Sequence, residues 1–363
     1  MKKDLRIAII GGGIGGASAA VALNAKGIRA DVYEQAPSLD EVGAGVGIRP
    51  PTVRCFKEWG IYEAMEKVTT RSDFMEIIAG DDQVLIKEAW PVLTDDKSDA
   101  YARLVHRADL LDTIVGHIPA DQLHLDHRCE SVIDHGDYAE VKFANGKTIE
   151  ADIVIAADGI RSPVRNHVLD PVEPVYSGYH AHRVLINIDE ALGMASEENI
   201  VRIYVDGDNS VYFLPLESRK QVSVDITVPG KFAWRPEVTK EELMESIKGF
   251  GPTIQKVVEN IIFEDIVTRP LCDLEPISKW TTKTVALIGD SAHAMLHNQG
   301  QGANMAMQDA EALAKAIVEA DTVAEALQKY EEQRKPIAQL YQKLSRLFPT
   351  DQAETAFPEK AHF

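Results

Sequence analysis

Basic residues are scarce in this chain: 38 Lys and Arg stand against 57 Asp and Glu among 363 residues, a formal charge of −19. Nucleic-acid binding needs clustered cations to neutralise phosphate, so this balance argues against it, and equally against attraction to an anionic membrane surface. An anionic ligand must then be met by local devices such as helix N-termini or single arginines. Cysteine is scarce too. Cys55, Cys129 and Cys272 are odd in number, widely spaced and in no zinc pattern, which excludes a disulfide framework and predicts reduced thiols. Long apolar runs are missing: nothing approaches the ~18–20 residues that span a bilayer. The N-terminal apolar run is too short for a secretory segment and meets glycines where a cleavage site would stand. These absences lead to the expectation of a cytoplasmic monomer or homodimer that binds neither nucleic acid nor membrane. What is present is an ordinary globular composition, 45% hydrophobic and 26% charged, at a length that predicts about two domains.

The chemistry begins in "IAIIGGGIGGASAAVAL". Gly11, Gly13 and Gly16 have G-x-G-x-x-G spacing between an apolar run (5–10) and a small-residue helical segment (14–26). The first glycine permits a tight turn, the second lets backbone approach a pyrophosphate, and the third lets helix pack on strand. The pyrophosphate is expected on the helix N-terminus, beside Ile14 and Gly15, where free N–H groups and the positive dipole end converge. Glu34, followed by Gln35, ends the next strand 18 residues past Gly16, placed to bind both ribose hydroxyls of an adenosine. An acid there disfavours a 2′-phosphate, so NADP is not expected in this site.

Two later strands also end in carboxylates. "DIVIAADGIRSPVRNHV" ends in Asp158-Gly159, and "VALIGDSAHAMLHNQGQGAN" in Gly289-Asp290. An open α/β sheet binds ligand at the carboxyl ends of its strands. Three strand-end sites suit one long ligand stretched across the sheet, which fits FAD better than NAD. A metal on Asp290, His293 and His297 would need a helix, whereas a glycine-rich loop follows the strand, so no metal is expected.

These three motifs, in this order, resemble the marks of the single-component FAD-dependent monooxygenases, the flavoprotein aromatic hydroxylases. The salicylate, 3-hydroxybenzoate and 6-hydroxynicotinate hydroxylases are the most similar branches. "HRADLLDTI" (106–114) and "YEEQRKP" (330–336) also look like segments of that family, and the likeness runs from residue 1 to about 345. It implies FAD, with NADH or NADPH as co-substrate and O2 and a small aromatic ring as the reacting partners. It further implies that Glu34 binds the adenosine ribose, Arg107 the pyrophosphate side and Asp290 the ribitol. Asp158, Gly159 and Arg165 would help to bind FAD and the transient NAD(P)H. The backbone of Gly300, Gly302, Ala303 and Asn304 would face the flavin's pyrimidine edge. An amphipathic helix over 303–318, with Ala306, Ala310, Leu313, Ala314 and Ile317 on one face, would aim its N–H groups there.

Arg49, beside the glycine loop at 43–47, is a candidate cationic neighbour of the flavin or pyridine nucleotide. Tyr212 on a strand and His180 in "YSGYHAHRVLI" are candidate catalytic residues at a domain interface, together with His297. Relatives often carry proline at the positions of Ala294 and His297, the latter near the reacting substrate. Several salicylate-type relatives carry histidine and tyrosine at Ser210 and Leu214, so their phenol-activating residues do not transfer. The alternatives are an FAD-dependent epoxidase, an oxidoreductase that never oxygenates substrate, and a non-catalytic redox-sensing module.

The expected architecture is α/β: a discontinuous Rossmann-like FAD domain (1–72, 101–175, 270–325), an inserted β-sheet substrate domain (73–100, 176–269) and a C-terminal helical segment (326–363) broken or kinked at Pro336.

Overall fold

A computed structural model of the chain describes residues 5–39, 43–89, 101–169, 171–194 and 199–352; the parts of the expected domains at 90–100 and 353–363 lie outside these residues. Four of the buried, β-branched runs form a parallel sheet, as runs apolar on both faces should. Its order is Val285–Leu287, Ile153–Ala156, Ile7–Ile10, Asp31–Tyr33, with the short Leu123–His124 strand at the edge. The strand Ile7–Ile10 pairs with Asp31–Tyr33 on one side and with Ile153–Ala156 on the other. The chain therefore departs in opposite directions from this central strand, and a crevice opens at the carboxyl ends on either side of it. Helices Ile14–Ala25 and Gly302–Glu319 pack together against this sheet, their small residues permitting close approach.

The inserted region forms a seven-stranded sheet in the order Val267–Asp273, Val175–Asn187, Gln221–Pro229, Asn209–Leu216, Val201–Asp206, Phe74–Ala79, Val84–Ala89. Helices Lys240–Ser246 and Pro252–Asn260 cover one face through Leu243, Ile254, Val257 and Val258. The other face turns toward the parallel sheet. Between the two lies a small antiparallel sheet of Gly45–Ile48, Ala102–His106 and Thr70–Ser72.

Several local expectations are corrected. The apolar pattern of "LVHRADLLDTIVGHI" (104–118), with Leu110, Leu111, Ile114, Val115 and Ile118 on one face, predicts a helix throughout, but Ala102–His106 is a strand, and the helix Arg107–Val115 starts where the His106 Nδ1 accepts the Ala108 N–H at 3.3 Å. The glycine loop at 43–47 runs into the strand Gly45–Ile48, which pairs with it. The second-domain boundary shifts, because the Val267–Asp273 strand completes the larger sheet. Pro336 does not break the C-terminal helix, which runs from Val323 to Ser345. The lost N–H is offset by packing of Leu327, Tyr330, Ala338 and Tyr341 into the core of the parallel sheet, so this segment is not separate from that domain.

Candidate active site

The crevice continues into a cavity of about 1710 Å³ that reaches the open face of the larger sheet. This exceeds the ~300–1,000 Å³ of a drug-sized pocket, as a dinucleotide with a ring beside it would require. Gly11 leaves the central strand at φ +103°, and a Cβ there would lie 2.4 Å from the Ala157 carbonyl oxygen. A Cβ on Gly16 would lie 1.9 Å from the Gly11 oxygen, so this glycine does not line the cavity but lets helix and turn touch. Gly13 has no atom within 4 Å of where its Cβ would be; it opens on the cavity together with Ile14 and Gly15. The helix that begins there has neither a side-chain cap nor an acid in its first turn, which leaves its N–H groups for a ligand.

Glu34 and Gln35 lie on the same wall. The Glu34 carboxylate already accepts the N–H groups of Gly12 (2.6 Å) and Ala36 (2.8 Å), which fixes its orientation at the strand end. Asp158 accepts the Val164 N–H at 3.1 Å through Oδ2, while its Oδ1 is buried without a hydrogen-bond partner among the described residues. Burial pushes its carboxyl above the ordinary range, against the bonds that lower it. An acceptor left in this way fits a hydroxyl-bearing ligand. Gly159 (φ +81°) and Asp290 complete this side, Asp290 exposed on the wall at the start of a short helix. Arg49, Arg107, Gly300, Gly302 and Ala303 line the remainder of the dinucleotide-sized part. The Gly302–Glu319 helix likewise has no side-chain cap and no acid in its first turn.

Besides Gly16, three expected cofactor or catalytic residues do not face the cavity. Arg165 is fully buried, and its guanidinium donates to the carbonyls of Ser291 (2.9 Å), Ile160 (2.8 Å) and Val172 (2.9 Å). It is a strut joining the Asp158 loop to the Asp290 loop. Asn304 is a buried clamp: it donates to Gly47 O (2.7 Å) and Gly300 O (3.0 Å) and accepts from Arg49 N and Thr52 Oγ1, both at 2.8 Å. His180 packs against Tyr176 and Gly230, away from the cavity wall.

The Asp290, His293 and His297 side chains diverge. His293 is buried against Trp280 and bonded to Asp309 at 2.5 Å, whereas His297 lies on the cavity wall. Among the described residues no group of three or more His, Cys, Asp or Glu side chains could hold a metal.

At the far end, Met75, Ala102, Leu104, Val201, Ile203 and Leu214 make an apolar wall. Against it stand Tyr212 and His297, ring centroids 5.0 Å apart, with the Tyr212 hydroxyl donating to Asn298 Oδ1 at 3.3 Å. Burial raises the Tyr212 phenol well above its usual value and lowers His297 to about 4, despite the nearby Asp225 charge. The Asp225 carboxylate takes Arg183 Nε at 2.6 Å and the Thr227 hydroxyl at 2.9 Å. Burial opposes its ionisation, but the Arg183 charge and these bonds leave it below the ordinary range. Asp225 and Thr227 were not singled out from the sequence. In "QVSVDITV" the polar residues alternate as on any half-exposed strand, but here Gln221, Ser223 and Asp225 line the cavity and Thr227 an adjoining pocket.

Comparison with known proteins agrees with this geometry. The family model described as "FAD binding domain" matches residues 4–345. The chain is 30% identical over 328 residues to a 6-hydroxynicotinate 3-monooxygenase of Pseudomonas fluorescens, covering 88% of this chain and 84% of the relative. It is 30% identical over 370 residues to a salicylate hydroxylase of Pseudomonas putida, covering 93% and 83%. The crystal structure of Klebsiella pneumoniae HpxO complexed with FAD and uric acid superposes with a TM-score of 0.85 at 25% identity, covering all of this chain and 92% of that one.

Proposed function

The chain belongs to the family of FAD-dependent monooxygenases that carry this FAD binding domain, and from that premise we propose that it uses NADH or NADPH and O2 to insert one oxygen atom into a small aromatic or heteroaromatic ring. The observation that carries this reading is one continuous cavity. It joins a glycine turn and two strand-end carboxylates to an apolar chamber walled by a second sheet.

FAD, when bound, supplies the redox chemistry and activates oxygen; the protein supplies position, electrostatics and exclusion of water. The uncapped helix at Gly13–Ile14 meets the pyrophosphate, with Arg107 beside it. Glu34 takes the adenosine ribose and Asp290 the ribitol. The helix starting at Gly302, which has no side-chain cap and no acid in its first turn, would offer its N–H groups and positive dipole end to negative charge on the flavin, a contribution of roughly 0.3–2 kcal/mol depending on burial. Asp158 and Gly159 serve both FAD and the pyridine nucleotide. The substrate ring lies between Leu104, Ile203 and Leu214, with Tyr212 and His297 at its polar edge.

The test is direct. The purified protein should be yellow and bleached by NADH or NADPH. Salicylate, 6-hydroxynicotinate or a related ring should stimulate oxygen uptake, with label from oxygen-18 gas in the product. Stimulated uptake that yields only hydrogen peroxide and no labelled product refutes the monooxygenase reading. A colourless protein that FAD does not reconstitute refutes it altogether.

A further inference from the structure

We infer that His297 is the proton acceptor for the substrate, linked through Thr227 to Asp225, and that the site selects a small ring presenting a neutral O–H or ring N–H. This rests on the monooxygenase reading and names its substrate-activating group.

The hydrogen-bond chain fixes the tautomer. The Thr227 hydroxyl has one proton, and it donates to the carboxylate Oδ1 of Asp225 at 2.9 Å, a charge-assisted bond. The Thr227 oxygen, 3.2 Å from His297 Nε2, must then accept from it, so Nε2 carries the ring proton. Nδ1 is left as a bare acceptor, buried and without a hydrogen-bond partner among the described residues. An acceptor in that state, on a ring that lines the substrate chamber, is satisfied by a donor on the ligand.

The charged and titratable groups around the imidazole fit the role. Asp225 comes from the Gln221–Pro229 strand, its partner Arg183 from Val175–Asn187, and Tyr212 from Asn209–Leu216. Arg346 and Asp273, which line the adjoining pocket, are paired with each other at 2.5 Å. Burial keeps the imidazole neutral at ordinary pH, as an acceptor must be, while the Asp225 charge favours the imidazolium that forms during reaction. In the proposed step one proton passes from the substrate heteroatom to Nδ1. The O–H or N–H bond breaks, and its electron pair stays on the ring and makes it a better nucleophile toward oxygen. No electrons are exchanged in this step; O2 and NAD(P)H supply the oxidant and reductant of the overall reaction.

The experiment uses the FAD-loaded protein with two probes, 4-nitrophenol and 4-nitroanisole, which differ only by methylation of the donor. Binding is read from perturbation of the flavin spectrum and ionisation from the nitrophenolate band. The wild type should prefer 4-nitrophenol about tenfold, the value of one hydrogen bond to a buried acceptor, and show nitrophenolate at a pH where free probe is protonated. His297→Leu should erase the preference. His297→Gln, which keeps an acceptor but no base, should restore preference without ionisation. Thr227→Val, which cuts the relay, should keep preference and reduce ionisation. The inference is overturned if the wild type binds both probes equally or binds neither. It is equally overturned if His297→Leu keeps the preference or if His297→Gln ionises the probe as well as the wild type does. Equal binding by a protein that retains FAD and is bleached by NAD(P)H overturns this inference alone; failure to hold FAD overturns the function reading beneath it.

Discussion

Removing the Asp309 carboxylate should destabilise the whole flavin domain. Asp309 is wholly buried and accepts from His293 Nε2 (2.5 Å), Arg334 Nε (2.8 Å) and the Gly289 N–H (3.1 Å). Burial alone would raise its carboxyl, but His293 and Arg334 hold it down to about 2, from an ordinary 3.8. Through linkage that difference is worth roughly 2–3 kcal/mol. Because the folded value is depressed, the contribution is present above pH ~4 and disappears as pH falls toward 2. Asp309→Ala does more than forfeit it. Arg334, only 6% exposed, is left without its carboxylate partner, and breaking one side of a buried pair costs about 3–5 kcal/mol. At ~2–4 °C per kcal/mol for a large domain, melting should fall by roughly 10 °C. Circular dichroism on heating, with flavin release followed by fluorescence, reads both fold and site, since the Gly289 peptide adjoins Asp290. Adding Arg334→Met to Asp309→Ala removes the stranded charge and should recover a good part of the loss. A single variant within about 1 kcal/mol of wild type, or a double variant no better than the single, refutes the reasoning.

Three further substitutions separate fold from ligand. Gly13→Ala should leave the melting temperature of the FAD-free protein unchanged, because its Cβ meets no protein atom within 4 Å, yet weaken FAD binding in a fluorescence titration; unaltered affinity would argue against pyrophosphate at this turn. Gly11→Ala should lower stability itself, since φ +103° and a Cβ 2.4 Å from Ala157 O add strain of roughly 2–4 kcal/mol; wild-type melting would contradict that geometry. Asp290→Ala should weaken FAD retention about tenfold or more, the cost of a hydrogen bond to a charged group, and unchanged flavin content after dialysis would count against the ribitol role. His182 is buried and held down to about 4, chiefly by desolvation. Its neutral form is the one that folds, so its contribution is intact above pH ~6.5 and lost as pH falls toward 4; His182→Gln should flatten denaturation midpoints across that window.

The parts of the site that were legible in the sequence are those made by backbone. Gly11 and Gly16 are needed because the turn at Ala157 and the contact of helix with turn leave no room for Cβ, while Gly13 stands open on the cavity, and both requirements show in residue type and spacing. The strand-end carboxylates Asp158 and Asp290 were legible for a related reason, as each follows a run buried on both faces. Arg165 and Asn304 sit inside the same motifs but act one layer back, as a strut and a clamp between loops distant in sequence. Motif position does not distinguish touching the ligand from holding what touches it. The helix expected over 104–118 begins too early because Leu104 and Val105 satisfy a helical period as well as a strand's, and pairing with Gly45–Ile48 decides between them.

The substrate end was least legible because its chemistry is assembled from several separate segments. Arg183, Tyr212, Asp225 and Thr227 lie on three neighbouring strands, and His297 arrives from the third flavin motif some 70 residues later. Tyr212 and His297 stand out as candidates from the sequence, but Asp225 and Thr227 do not, because an alternating Asp or Thr reads as solvent-facing. Pairing of Tyr212 with Asp225 in register, and of Arg183 with Asp225 on the other side, puts all three on one face. The His297 turn then closes over that face. A proline at 297 could not join this chain of hydrogen bonds, and Leu214 brings no hydroxyl to replace it. The polar end of this chamber is thus built by the inserted sheet and one turn together, so substrate choice can change while the glycine turn and strand-end carboxylates that hold FAD stay the same.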